Sequence, residues 1–150
     1  MLNLFREKYV IMRVMALDIG KVRIGIAQTD EMQIIASPLM VYTRTKSINN
    51  DAKYIASLIS ENNVGKLVVG LPLKLDGSAG DSVDMVNEFT EKLKKFTDIE
   101  IIMQDERLST VSAQRILLEG NVRRDKRKNV VDKIAATIIL QNYLDKNYNK

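Results

Sequence analysis

The sequence predicts an α/β domain built on a mixed five-stranded sheet, the first three strands antiparallel and the last two parallel, flanked by helices. Three observations predict it. The first three apolar segments are joined by linkers of only a few residues, too short for a parallel crossover. The later apolar runs alternate with stretches of helical period, the pattern of β-α-β units whose strands run parallel. At 150 residues, with 45% hydrophobic and 28% charged side chains, the chain suits one domain with a core of its own.

Val14-Met15-Ala16-Leu17, followed by Asp18-Ile19-Gly20, reads as a first strand ending in a turn. Residues 24–28 and 33–42 are the second and third strands. Pro38 marks the third as an edge strand, or as irregular near its end. Ile48, Ala52, Ile55 and Ile59 then share one helical face, and Asn62-Asn63 closes that helix. Residues 67–71 read as a buried strand and 74–81 as a polar, glycine-bearing loop. A helix over 82–96 would turn Val86, Phe89, Leu93 and Phe96 inward, and 99–103 is the fifth strand. Helical segments follow at 110–119 and 130–145, joined by the basic stretch 121–128, with Asn129 as N-cap of the last helix. The domain is expected to span 12–150, with 1–11 as an N-terminal extension.

Cysteine and histidine are both absent. Disulfides, thiol catalysis, a histidine base and zinc sites built on those side chains are thereby excluded. Any metal must be hard and oxygen-bound, Mg²⁺ or Mn²⁺. No apolar run approaches the ~18 residues of a membrane span. Arg6, Glu7 and Lys8 interrupt what would have to be an apolar signal core, so a cytoplasmic protein is expected. A net charge of +4 leans mildly toward polyanionic partners.

Three acidic positions stand out. Asp18 ends an apolar strand, where a carboxylate is costly to bury without a cation or hydrogen-bond donors. Gly20 after it lets the chain turn and a ligand approach, although an acid that merely opens a hairpin turn fits the same position. Asp105 and Glu106 end the fifth strand and point to opposite sides, so one of them can share a site with Asp18. Asp132, near the third position of the last helix, suits the positive end of the helix dipole. It also shares a face with Ala135 and Ala136, small residues that let a helix approach a sheet. In open α/β sheets ligands collect beyond the carboxyl ends of the strands. Three carboxylates there suit a two-metal hydrolytic site. Arg123, Arg124, Lys126, Arg127 and Lys128, just before Asp132, would hold a phosphate backbone without reading sequence, or form a solvated charged surface.

Four strings then carry a resemblance: MALDIGKVRIGIAQTD (15–30), VVGLPLKLDGSAGD (68–81), DERLSTVSAQRILLEG (105–120) and RKNVVDKIAATIILQNYLD (127–145). Together they resemble the YqgF family, also called RuvX, whose members carry the name pre-16S rRNA nuclease. The similarity runs in order from Met12 to Asp145. It implies a ribonuclease H-like fold related to the junction resolvase RuvC, and a bacterial cytoplasmic nuclease acting at the 5′ end of small-subunit ribosomal RNA. Some members are discussed instead as Holliday junction resolvases. Carried over, the family's metal-binding acids fall on Asp18, Glu106 and Asp132, holding two Mg²⁺ or Mn²⁺ ions. Gly20, Arg23 and Gly25 match the first motif and Arg107 the third. The implied partners are pre-rRNA, branched DNA and ribosomal components. A homodimer would suit a two-fold junction, and a monomer is equally open. The competing class is a non-catalytic RNA- or ribosome-binding module. An actin-like phosphotransferase would need a second such domain, which 150 residues do not supply.

Overall fold

A computed structural model describes residues 12–73, 80–106 and 124–148, without the side chains of 124–133 and 148. The elements are β1 (Arg13–Ile19), β2 (Arg23–Thr29), β3 (Ala36–Thr43), α1 (Ile48–Glu61), β4 (Val64–Leu71), α2 (Asp81–Leu93), β5 (Glu100–Asp105) and α3 (Arg124–Tyr148). They form one five-stranded sheet in the order β3-β2-β1-β4-β5. β1 pairs antiparallel with β2, and β2 with β3. β4 runs parallel to both β1 and β5. The expected mixed sheet is therefore the observed one.

Strand alternation sends side chains to two different layers. Met15, Leu17, Ile19, Ile24, Ile26, Leu67 and Val69 pack with Ile55, Ile59, Val86, Phe89 and Leu93 of α1 and α2. On the other face Val14, Ala16, Ala27 and Val68 meet Ala135, Ala136, Ile139, Leu140, Tyr143 and Leu144 of α3. The first layer is filled by large side chains. The second contains four alanines, which let α3 settle close to the strands.

Local chemistry explains the boundaries. Ser47 caps α1 by accepting the Asn50 N–H at 3.2 Å. Asn62 ends the helix with its backbone N–H and Nδ2 both on the Leu58 carbonyl, and Asn63 follows at φ 55°. Pro38 lies on β3, an edge strand, beside a register shift in which Met40 faces Ile26 and Pro38 faces Ala27. The edge position is one of the two anticipated alternatives, and the irregularity lies beside the proline itself near the start of β3.

Several boundaries differ from expectation, β4 among them, which starts at Val64 rather than 67 and so follows Asn62-Asn63 directly. β3 begins at Ala36 because 33–35 belong to a turn closed by Asp30, whose Oδ1 accepts the N–H groups of Ile34 (2.9 Å) and Ile35 (2.8 Å). α2 begins at Asp81, inside the expected loop. It stops at Leu93, so Phe96 lies beyond its end and is 37% exposed rather than turned inward. α3 begins at Arg124 rather than near 130. The basic stretch from Arg124 onward is thus helix and not a connector, Asn129 is interior rather than a cap, and Asp132 lies well past the first turn. Arginine and lysine are good helix formers, but a charge run carries no apolar period to reveal them. The expected helix at 110–119 lies outside the described residues.

Candidate active site

Asp18 follows Val14 and Ala16 on the face that α3 covers, and it is half-buried. Its neighbours in the sheet have no side chains. Gly25 is its cross-strand partner on β2. On β4, Gly70 is one position past the Leu17–Val69 pair. A Cβ on Gly70 would come within 2.6 Å of Ile139 Cδ1 and 3.6 Å of Glu106 Cγ. A glycine on each side therefore leaves Asp18 in a cradle that larger residues would fill.

Gly70 pairs in turn with Gln104 on β5. Glu106 lies two residues further on the same face, while Asp105 between them points the other way. Asp105 is exposed and Glu106 is 7% exposed. Of the two adjacent acids, Glu106 is the one on the Asp18 face. Its Oε1 accepts a hydrogen bond from Gln104 Nε2 at 2.7 Å.

α3 runs antiparallel to β4 and β5. Ile139 sits over Gly70 near their carboxyl ends, whereas Tyr143, Lys146 and Asn147 share a cleft with Lys66 and Glu100 near their starts. Asp132 is seven residues before Ile139, two helical turns or about 10 Å further toward the carboxyl edge. Glu106 is about 7 Å beyond Gln104 in the same direction. Position 132 thus lies on the carboxyl-edge side of Ile139, the edge at which Glu106 follows β5. The side chains of Asp132, Arg124, Lys126, Arg127 and Lys128 lie outside the described residues, as do Arg107 and Arg123 altogether. Arg23 opens β2 beside the Asp18 turn and is half-buried. Among the described residues no three acids form a metal-binding group.

The turn after Asp18 is held by Gly20 and Arg23, which the sequence singled out, and by a corner around Arg44 that it did not. Gly20 N–H donates to the Arg23 carbonyl at 2.8 Å, and a Cβ on Gly20 would stand 2.8 Å from that backbone oxygen. The Gly20 carbonyl accepts Arg44 Nη1 at 3.0 Å. Arg44 also contacts Asp51 (Nε to Oδ2, 3.4 Å) and lies over the Phe89 ring. Asp51, 1% exposed in the first turn of α1, accepts Tyr42 Oη at 2.7 Å and the Thr45 N–H and hydroxyl at 2.9 Å each. Nothing local in the sequence links Tyr42, Arg44 and Asp51. Only the β3–α1 corner brings them together.

This corner sets a pH dependence. Burial pushes the Asp51 carboxyl up, but hydrogen bonds from Thr45, Tyr42 and Arg44 outweigh it, and the group stays below its ordinary 3.8. A depressed carboxyl contributes stability that is complete above 3.8 and lost as pH falls through the folded value. Burial, then the bond to Asp51, raises the Tyr42 hydroxyl from 10.0 to about 12. That contribution is complete below pH 10 and lost as pH rises toward 12. Urea midpoints measured across pH are expected to show both losses in the wild type. Tyr42→Phe is expected to remove the alkaline one.

The charged donors are all oxygen, with no thiol or imidazole anywhere in the chain. Asp18 and Glu106 share a face and Gly70 lies between their strands, so the residues present fit a hard divalent cation better than a soft one.

The RuvX family model, described as Holliday junction resolvase, matches residues 12–146. A Clostridium tetani relative named "Putative pre-16S rRNA nuclease" is 45% identical over 139 residues, covering 93% of this chain and all of the relative. One of the same name from Carboxydothermus hydrogenoformans is 42% identical over 134 residues, 89% of this chain and 96% of the relative. The structure titled T. thermophilus RuvC in complex with Holliday junction substrate superposes with a TM-score of 0.56 at 10% identity, covering 90% of this chain and 95% of that one. The fold is shared with RuvC, the ribonuclease H-like arrangement that the motifs implied. With a family model over nearly its whole length and full-length relatives above 40% identity, the chain belongs to the RuvX family.

Proposed function

We propose that this protein is a metal-dependent nuclease that hydrolyses phosphodiester bonds in the 5′ processing of precursor 16S rRNA. The observation that carries the reading is the placement of Asp18 and Glu106 on one sheet face at the carboxyl ends of their strands, with Gly25 and Gly70 flanking Asp18. Asp18, Glu106 and Asp132 are the residues that hold Mg²⁺ or Mn²⁺, two ions in all. Bound divalent ions supply stabilisation for negative charge building on the phosphate. The glycines let a nucleic-acid backbone approach the sheet edge. Arg23, Arg107 and the run Arg123, Arg124, Lys126, Arg127 and Lys128 contact phosphates, fixing the position of the strand rather than its sequence. The names of the relatives support RNA as substrate, and the description of the family supports branched DNA as the second candidate. Precursor ribosomal RNA and ribosomal components are the partners of the first reading, and the cytoplasm is its compartment. We assign the nuclease domain to 12–150 and treat 1–11 as an extension of it. No described helix is long and apolar enough to cross a membrane.

The test offers the full chain a 5′-extended 16S rRNA fragment and a four-way DNA junction, each with Mg²⁺, Mn²⁺ or EDTA. Metal-dependent cutting of the RNA is expected. Cutting of the junction alone transfers the substrate to branched DNA. Binding without cutting in every condition overturns the nuclease in favour of a binding module.

A further inference from the structure

Gln104 sits between the two elements that carry Glu106 and Asp132. It is 6% exposed, and its amide nitrogen is fully committed: Nε2 donates to Glu106 Oε1 at 2.7 Å and to the Ile139 carbonyl of α3 at 2.9 Å. Both partners are acceptors, so only the NH₂ end of the amide serves, and its two hydrogens match the two bonds. A side chain merely satisfying its own burial could have turned to either partner alone. Here one group joins the end of β5 to the backbone of α3, two turns from Asp132.

We propose that Gln104 is a positioning residue for the nuclease site, orienting the Glu106 carboxylate and holding β5 and α3 at one separation. The inference rests on the reading of the site given above. Outer-shell groups that orient ligating carboxylates commonly change metal affinity by about 10–100-fold when removed. Gln104 has the geometry of such a group, whereas an amide serving only the fold would leave metal binding unchanged.

The experiment measures Mn²⁺ binding calorimetrically to the full chain as wild type, Gln104→Met, Glu106→Gln and the double variant, alongside thermal unfolding. Methionine keeps the length and volume of glutamine without its donors. Gln104→Met is expected to weaken Mn²⁺ binding about tenfold or more. In the Glu106→Gln background the same change is expected to add little, because its effect passes through Glu106. Gln104→Asn, which keeps the amide but shortens its reach, provides the same comparison if methionine is not tolerated, with binding again expected to weaken. Wild-type affinity in a folded Gln104 variant overturns the inference alone, as does an undiminished effect in the Glu106→Gln background. A wild type that binds no Mn²⁺ overturns the site reading and this inference with it.

Discussion

Asp51→Ala is expected to cost about 3–5 kcal/mol of folding stability, the usual result of removing one partner from a buried charged pair. The substitution deletes the acceptor of four hydrogen bonds. It leaves Arg44, the Tyr42 hydroxyl and the Thr45 N–H without the carboxylate they share. For a chain of this size each kcal/mol lowers the melting temperature by roughly 2–4 °C, so calorimetry should show a large drop. Asp51→Asn keeps the volume and one acceptor oxygen and is expected to cost less, about 1–3 kcal/mol. Equal stability of all three proteins would mean that the corner is not a stabilising unit. The damage should also reach the turn after Asp18, because Arg44 spans from Asp51 to the Gly20 carbonyl.

Asp18→Asn is expected to do the opposite, leaving the fold and removing the chemistry. Asparagine has the shape of aspartate, and Gly25 and Gly70 beside it impose no packing demand. Its stability change should stay within about 1 kcal/mol. On the proposed reading the substitution takes a ligand from the divalent ions, and cleavage should fall by about a thousandfold or more, equivalent to roughly 4 kcal/mol of transition-state stabilisation. Urea unfolding together with single-turnover cleavage separates the two effects. Cleavage at the wild-type rate by a folded Asp18→Asn protein would remove Asp18 from the mechanism.

The residues themselves show why some of this was legible and some was not. Antiparallel and parallel pairing followed from connector length, and Pro38 pointed to an edge strand or an irregularity because a proline withholds a ladder donor wherever it sits. Asp105 and Glu106 separated correctly to opposite faces because strand alternation is rigid. The start of α3 was hidden because a helix is read from apolar spacing, and Arg124–Lys128 has none. Asn129 then looked like a cap, because asparagine favours that position over a helix interior. Gln104 and Asp51 were invisible for a different reason. Their partners are Ile139, 35 residues away, and a corner formed only when β3 meets α1. Short polar residues of this kind acquire meaning from tertiary contacts alone.

The mixed sheet has a consequence in time as well as in space. The hairpin bearing Asp18 closes across a few residues and belongs to a local antiparallel meander. Glu106 reaches it only after β4 and β5 have joined by parallel pairing, and α3 must then lay itself over the sheet. Contacts of long sequence separation carry the larger loop-closure entropy and form late. A site divided between Asp18 and Glu106 is therefore assembled last. On the proposed reading, a chain still emerging from a ribosome would carry half of the site and no means of cutting the RNA around it.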